Sequence, residues 1–394
     1  MNKKIDIYTY KDESTFKLLA KSIRIACFWL YIVLSPLNII SVSFGWSVMK
    51  YVSFIILSIY LLFGIADFKL VISSPKKVWM LYLIYVCLTL LWSDNGNNSL
   101  TNVLGKVETG CFAFLLINDS IPKKTQKVIE NGFLISGCIV ILFSLLFGSL
   151  DTTSRLVIND KLFLADGNEI NTYLIMPVII CIKRSFNKGP KDLLVILLHV
   201  SIIVLSLYVC LLTGSRSGLI SLLTAIVFSV FAFIKLKIKK VFLALSILAF
   251  LYLFIINVVL PSLPQDMLQR YSFENAVNDK GSERLIIWET QWHYLTDNPA
   301  RLFFGYGFGG INGYQRASHN VFLQEIVCGG FVGLSLFILL LISLIRYSYS
   351  QGNISAIIGL LSSISIYMFL SLNSSNKATW IIFMFALYQF RKED

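Results

Sequence analysis

Apolar runs of about 20 residues recur from one end of the chain to the other. A transmembrane α-helix needs about 20 predominantly apolar residues to cross the hydrocarbon core of a bilayer. The composition agrees, because 56% of the residues are hydrophobic, only 14% are charged and the mean hydropathy is +0.73. A soluble domain carries about 25% charged residues. The sequence therefore excludes an ordinary soluble enzyme, a disordered chain and a collagen-like fibre, and it predicts an all-α fold, a polytopic transmembrane helical bundle.

About twelve spans account for the apolar runs, and we predict them at 22–42, 48–66, 78–93, 100–118, 131–150, 168–183, 192–212, 218–236, 240–260, 320–345, 354–372 and 377–390. The fourth and sixth are the weakest, because the fourth contains Lys106 and Glu108 and the sixth is short and begins beside polar residues. The predicted organisation is an N-terminal segment (1–21), spans one to nine (22–260), a large exported loop (261–319), and spans ten to twelve with a short tail (320–394).

Lysine and arginine are unevenly distributed between the predicted loops. In a soluble protein the net charge of +12 would point to nucleic acid. With the N-terminus in the cytoplasm, every short cytoplasmic loop is basic, as the positive-inside rule requires. The charge pattern therefore predicts that both termini are cytoplasmic, that membrane lipids surround the chain and that it has no nucleic-acid partner.

The exported loop over 261–319 is too long for a simple connection, and loops of that length usually carry function. Its residues 282–299 predict an amphipathic helix with Ser282 as N-cap and Asn298-Pro299 at its end. An apolar stripe follows helical spacing through Leu285, Trp288, Trp292 and Leu295. Such a helix lies at the membrane interface, and the functional interpretation adds Arg284 as an anion ligand there.

A glycine-rich sequence, GYGFGG at 305–310, formally matches the dinucleotide-binding pattern. We reject that interpretation, because no strand precedes it and no βαβ unit surrounds it. We predict a turn that allows close backbone packing instead.

His319 lies where the polar loop meets the tenth span, after Arg316 and between Ser318 and Asn320. These two neighbours could orient an imidazole. The tenth span also contains three glycines that permit tight helix contact, Gly329, Gly330 and Gly333. A lone histidine is more often structural than catalytic, and we assign that structural role to His199 and His293.

Two further polar motifs lie on the exported side. TGSRSG, at 213–218, places Arg216 in the turn between the seventh and eighth spans, either as a snorkelling side chain or as a ligand. ADGNEIN, at 165–171, supplies Asp166, Asn168 and Asn171 at the entry to the sixth span, either as a helix cap and turn or as part of a site.

Together these motifs resemble the O-antigen ligase and O-antigen polymerase superfamily. The resemblance rests on the order TGSRSG, Arg284-x-x-x-Trp288, GYGFG and Ser318-His319-Asn320 with GGFVG, over about 210–335. It implies a multi-pass protein of the bacterial inner membrane whose 261–319 segment is a periplasmic catalytic loop. It also implies a glycan donor linked to undecaprenyl pyrophosphate, a glycan acceptor, and other polysaccharide assembly proteins as candidate partners.

The resemblance implies site residues by position. Arg216 and Arg284 correspond to arginines of the family that bind the pyrophosphate, and His319 corresponds to its catalytic histidine. Arginine suits a pyrophosphate because its planar fork binds phosphate bidentately, and histidine is the usual base near neutral pH. Arg316, Asn320, Asp166 and Asn168 stay secondary candidates.

Neither a metal nor a cofactor is expected. The seven cysteines lie within apolar runs, none with a loop partner at zinc-site spacing, and no D-x-D sequence is present. The resemblance accordingly implies a metal-independent, inverting glycosyltransferase.

Three functions remain open from the sequence. Polymerisation of lipid-linked repeat units is the leading hypothesis, because polymerases are numerous, and ligation of the glycan to the lipid A core follows closely. A lipid-linked oligosaccharide transporter is the more distant alternative. It would need polar residues lining a path at mid-membrane, and this chain has few, chiefly Lys106 and Glu108.

Cysteine labelling tests the predicted topology. In a variant freed of its native cysteines, Asn275→Cys should react with an impermeant maleimide on spheroplasts and Lys188→Cys should not, because the loop charges place 261–319 outside and 184–191 inside. Both positions should react after permeabilisation. The reverse pattern on intact spheroplasts would contradict the topology.

Overall fold

The structure, a computed structural model, describes residues 15–39, 41–42, 46–65, 72–118, 120–150, 156–159, 164–165, 167–187, 192–234, 253, 257, 261, 263, 265–271, 283–314, 316–367 and 377–391. Most of these residues are helical. The α-helices are α1 (Thr15–Leu34), α2 (Val48–Ile59), α3 (Ser74–Leu88), α4 (Gly96–Leu116), α5 (Lys123–Phe147), α6 (Gly167–Asn187), α7 (Leu193–Leu212), α8 (Arg216–Phe233), α9 (Gln265–Arg270), α10 (Arg284–Thr296), α11 (Pro299–Phe304), α12 (Val321–Ser350), α13 (Ile354–Tyr367) and α14 (Lys377–Ala386).

Short elements extend or connect the helices. Turns of 3₁₀-helix follow α1 (Ser35–Ile39) and α3 (Thr89–Trp92), and a π-turn follows α2 (Tyr60–Gly64). Antiparallel pairing joins β1 (Ser41–Val42) to β2 (Trp46–Ser47), and joins β4 (Ser149–Leu150), β5 (Leu156–Asn159) and β6 (Leu164–Ala165) in that order. Parallel pairing joins β3 (Ser120–Pro122) to β7 (Gln389–Arg391). The all-α prediction thus describes the bundle but omits these strands.

Each predicted span overlaps a described helix, except 240–260, which lies outside the described residues apart from 253 and 257. Within the described part of the chain, six helical segments are long and apolar enough to cross a membrane: Lys17–Asn38, Ser74–Trp92, Lys123–Phe147, Leu193–Leu212, Arg216–Phe233 and Val321–Ser350. Three apolar helices are shorter: Val48–Gly64, Ile354–Ile364 and Lys377–Ala386. A multi-pass helical protein is therefore supported, whereas the count of twelve spans stays a prediction.

Helices α6 and α14 lie at the centre of the bundle. All residues of 170–182 and of 377–386 are buried. A helix surrounded by protein presents no face to lipid, which explains why the sixth predicted span is short and flanked by polar residues. The outer helices instead expose large apolar side chains, among them Leu91 (81% exposed), Leu194 (81%) and Phe231 (77%). Exposed apolar surface of this kind is typical of contact with a membrane.

The bundle has two ends of different character. At one, which we call the basic end, Lys183 lies 2.5 Å from the Glu130 carboxylate and Arg184 donates to the Lys127 carbonyl at 3.0 Å. At the other, the loop end, Asn38 donates to Glu169 at 3.0 Å and the start of α6 meets the α7–α8 turn. Segments 265–271 and 283–320 also pack at the loop end. The alternating course of the helices therefore gathers the polar motifs at one end.

A buried ion pair joins three helices beneath the loop end. Lys106 Nζ of α4 lies 3.0 Å from Glu325 Oε1 of α12, and their side chains are 3% and 1% exposed. The Tyr82 hydroxyl of α3 donates to Glu325 at 3.0 Å and accepts from Lys106 at 2.8 Å. The Lys106 ammonium also lies 4.7 Å from the centre of the Phe308 ring. The charge that weakened the fourth predicted span is thus neutralised within the protein.

Removing one member of this pair should destabilise the fold. Lys106→Met leaves the Glu325 carboxylate buried without its cation, which typically costs about 3–5 kcal/mol. The double variant Lys106→Met with Glu325→Leu should recover most of that loss, since replacing a whole buried pair by apolar residues is often neutral. Denaturant unfolding of the protein in detergent measures both.

The exposed Lys123, at the start of α5, provides the control. Lys123→Met should change the free energy of unfolding by less than about 1 kcal/mol. A Lys106→Met protein as stable as the Lys123→Met protein would refute the structural role of the pair.

Candidate functional site

Arg216 is the first residue of α8 and is partly exposed at the loop end. The Ser215 side chain caps this helix by accepting from the Gly218 amide at 3.0 Å. The hydroxyls of Ser215 and Ser217 both donate to Asn168 Oδ1, at 2.6 and 3.1 Å. Asn168 therefore fixes the turn that presents Arg216, which is a structural role for a residue predicted as a secondary site candidate.

The start of α6 packs directly against the same turn. Asn171 Nδ2 donates to Thr213 Oγ1 at 3.0 Å, and a side chain at Gly218 would collide with Asn171. A side chain at Gly167 would come within 2.8 Å of Thr213. The TGSRSG and ADGNEIN motifs thus form one unit, although Asp166 lies outside the described residues and its predicted role is untested.

The first part of the long loop contacts this unit as well. The Tyr271 hydroxyl, which follows α9, donates to the Leu211 carbonyl at the end of α7 at 2.9 Å. Leu263 packs against Leu211 in a small apolar cluster. Segment 263–271 therefore lies against the turn that carries Arg216.

Arg284 begins α10, within the helix predicted over 282–299, and is partly buried. The helix buries Ile287, Gln291 and Leu295 at successive turns, whereas Leu285 and Trp292 are 54% and 45% exposed. Of the predicted stripe, Leu295 therefore belongs to the packed face, whereas Leu285 and Trp292 lie on the exposed side of the helix. Gln291 also belongs to the packed face, although the sequence did not predict that a polar residue at this position would face the protein.

The beginning of α10 differs from the prediction. Ser282 lies outside the described residues, and the residue at the cap position is Glu283, with φ of +62°. The end is as predicted: α10 stops at Thr296, and Asn298 then caps α11 by accepting from the Ala300 and Arg301 amides at 3.1 and 3.4 Å.

A single hydrogen bond brings α10 beside the histidine. The Trp288 indole Nε1 donates to the Ser318 carbonyl at 2.8 Å, one residue before His319. Arg284 lies one helical turn before Trp288 on the same helix. Since side chains four residues apart share a helix face, Arg284 lies on the face of α10 that contacts the Ser318 carbonyl.

His319 is exposed and has an unusual backbone, with φ of +48°. Its neighbours Ser318 and Asn320 are 4% and 7% exposed. A non-glycine residue in the left-handed region is strained, and such residues cluster at functional sites. His199, by contrast, is buried 3.2 Å from Ser185 Oγ, which fits its predicted structural role.

The two other candidates of this segment differ, because Asn320 has a structural role and Arg316 is exposed. Asn320 caps α12, because its Oδ1 accepts from the Phe322 and Leu323 amides at 3.0 and 3.1 Å. Arg316 pairs with Glu283 at 3.5 Å, but the side chains are 59% and 70% exposed. An exposed pair of this kind contributes little to stability. Arg316 thus remains a secondary candidate at the rim of the site.

The glycine turn at 305–310 packs against a kink in α12. The Tyr306 and Gly307 amides donate to the Val327 and Cys328 carbonyls at 2.8 and 2.9 Å. Gly330 has φ of +63° within α12, and a side chain there would collide with the Phe303 backbone. The prediction of close backbone packing is therefore confirmed.

A polar cavity of about 430 Å³ lies between the glycine turn, α4, α10 and α12. Its lining includes Ser318, Arg316 and six carboxamide residues, which are Asn95, Asn98, Asn102, Gln291, Asn312 and Gln324. Cavities of about 300–1,000 Å³ are typical of small-molecule sites. Among the described residues no group of three or more His, Cys, Asp or Glu side chains could hold a metal ion, and metal independence stays a prediction.

Sequence analysis missed two contributors to this site. Glu325 is the partner of Lys106, and Gln291 forms part of the cavity. The signal for Glu325 was an acidic residue inside an apolar span, which in a membrane protein calls for a cation. The amide cluster had no local signal, because it is assembled from α4, α10, α12 and the glycine turn.

Residues 201–338 match the family model described as O-antigen ligase. The match confirms the resemblance to the O-antigen ligase and polymerase superfamily. It covers Arg216, Arg284, Arg316, His319 and Asn320, whereas Asp166 and Asn168 precede the matched O-antigen ligase segment. No curated protein sequence matches the chain.

One solved structure also aligns with the chain. Its title is "Structural coordination of polymerization and crosslinking by a peptidoglycan synthase complex". The alignment covers 79% of this chain and 96% of the other, with 14% identity and a TM-score of 0.46. This likeness is too weak to support a functional argument.

Proposed function

We propose that this protein is a membrane glycosyltransferase that polymerises repeat units of O-antigen, or of another surface polysaccharide, at the periplasmic face of the bacterial inner membrane. The donor is a glycan on undecaprenyl pyrophosphate, and the acceptor is a second glycan. The observation that carries the proposal is the O-antigen ligase match over 201–338, which contains both key arginines and His319. The Trp288–Ser318 hydrogen bond supports it by placing the helix of Arg284 beside His319.

His319 acts as the general base in this proposal. The acceptor hydroxyl gives its proton to the imidazole while its oxygen attacks the anomeric carbon of the donor. The bond between that carbon and the phosphate oxygen breaks, and its electron pair leaves with undecaprenyl pyrophosphate. Attack opposite the leaving group inverts the anomeric centre. The exposure and fixed backbone of His319 suit a base that must meet an incoming hydroxyl.

Arg216 and Arg284 neutralise the departing pyrophosphate. Both are partly exposed, and both start helices, where the helix dipole also favours anions. Guanidinium groups remain charged and bind phosphate oxygens in pairs. In this proposal the two arginines supply the charge that a divalent cation supplies in other transferases.

Ligation is the second candidate, because the matched family is described by that activity. Gene deletion separates the two. Loss of a polymerase should leave a single repeat unit on the lipopolysaccharide core. Loss of a ligase should leave free core and accumulated lipid-linked polymer. An unchanged surface glycan would contradict both activities.

The arginines should require their guanidinium shape. Arg216→Lys and Arg284→Lys keep the charge but lose bidentate binding, so each should lower transfer by about tenfold or more in a purified assay. Membrane abundance should not change, because both side chains are partly exposed. Full activity of both lysine variants would contradict a specific phosphate role.

His319 should contribute about 10²–10⁴-fold to the rate, as general bases typically do. His319→Ala should therefore lose that factor in kcat and keep its affinity for the lipid-linked donor. His319→Gln retains size and hydrogen bonding but cannot take a proton at neutral pH, so it should be as impaired as the alanine variant. An active glutamine variant would remove His319 from the chemistry.

A further inference from the structure

The carboxamide cavity has a composition that points to a ligand. Among the described residues that line it, six are carboxamides and Arg316 alone is charged. A carboxamide offers donors and an acceptor at adjacent positions. A sugar hydroxyl also donates and accepts, whereas a phosphate only accepts. A neutral wall of amides therefore matches hydroxyl groups better than phosphate.

Gln291 supplies independent evidence that the cavity is a binding site. Its side chain is 3% exposed, and its Nε2 donates to the Arg316 carbonyl at 3.2 Å. Its Oε1 is buried without a hydrogen-bond partner among the described residues, and Gln291 is one of the residues that line the cavity. Buried polar atoms are nearly always paired in folded proteins. An unpaired acceptor on a lining residue is what a hydroxyl that enters the cavity would satisfy.

The floor and one wall of the cavity are held firmly. Asn102 Nδ2 donates to the Phe308 carbonyl at 2.9 Å, and the Gly309 amide donates to Ser99 Oγ at 2.6 Å. Phe308 rests on the Lys106 ammonium beneath it. Gly309 lies so close to Asn95 and Ser99 that a side chain there would collide with their backbone. Moving the glycine turn away from α4 would therefore break this packing and both hydrogen bonds. The cavity is pre-formed rather than a gap between loose loops.

We propose that this cavity binds the hydroxyl-rich sugar residues of the substrate glycan. The inference rests on the proposed function. It assigns sugar recognition to the carboxamide side chains of the cavity, which are separate from the two arginines and His319. Ser318 lines the cavity, and His319 is the next residue in the chain. A sugar in the cavity is thus held beside the base, while the charged pyrophosphate is left to Arg216 and Arg284.

Two probes test the assignment on the full-length protein in detergent. One is the repeat unit released from its carrier by mild acid, and the other is undecaprenyl pyrophosphate without sugar. Asn98→Ala and Gln291→Met should each weaken binding of the released glycan by about tenfold, the loss of one hydrogen bond, and leave binding of the bare carrier unchanged. The unchanged carrier affinity also shows that the variants are folded.

Asn97→Ala is the matched control, because Asn97 adjoins Asn98, is also exposed and does not line the cavity. It should bind both probes as wild type does. Equal loss of glycan affinity in Asn97→Ala, or no effect of Asn98→Ala and Gln291→Met, would overturn the cavity assignment. So would a wild-type protein that binds the carrier and fails to bind the released glycan, although the proposed function would then still stand.

The same released glycan distinguishes the two possible sources of the sugar. It has no pyrophosphate and can act only as an acceptor. Extension of the released glycan by wild type, reduced about tenfold at low concentration in Asn98→Ala, assigns the cavity to the acceptor. Inhibition without extension, with the same sensitivity to Asn98→Ala, assigns it to the donor glycan. Failure of the lipid-linked substrate itself to react in wild type would instead refute the proposed function.

Discussion

The ion pair between Lys106 and Glu325 is the interaction on which the geometry of the loop end depends. Charges inside an apolar bundle are costly unless they are paired and hydrogen-bonded. Lys106 and Glu325 have each other and Tyr82, so α3, α4 and α12 are committed to one arrangement. The Lys106 ammonium faces the Phe308 ring as well, and through it the pair supports the glycine turn and the cavity above.

Contacts of α12, the helix that carries Glu325, also determine the position of His319. Glu325 lies just over one turn into α12, and Asn320 caps the same helix. The Asn320 cap on one side and the Trp288–Ser318 bond on the other hold the residue between them at φ of +48°. Strain of this kind costs about 1–3 kcal/mol and persists only where surrounding contacts determine the backbone. The histidine is therefore positioned by α10 and α12 together and not by its own sequence neighbours alone.

The sequence predicted what is encoded locally. Apolar runs located the described helices, and Asn298-Pro299 and the glycines of 305–310 were assigned correctly because caps and turns follow short-range rules. The sixth predicted span was among the weakest because polar residues flank it, yet α6 covers it, buried within the protein. The sequence could not foresee that Glu325 pairs with a lysine 219 positions away, or that Gln291 faces inward. Such contacts depend on how helices pack, as does the Trp288–Ser318 hydrogen bond that joins α10 to the residue before His319.

The loop end also separates two kinds of surface. The unit formed by the starts of α6 and α8 presents a cation, Arg216, on a turn fixed by Asn168. The unit formed by α10, the glycine turn and α12 presents Arg284, His319 and a cavity of neutral amides. A charged lipid phosphate gains more from the cations, and a sugar gains more from the amides. In the proposed function, a lipid-linked glycan binds with its pyrophosphate on the arginines and with its sugars beside His319. The difference in charge between these two surfaces, more than any one contact, would then set the register in which such a substrate reacts.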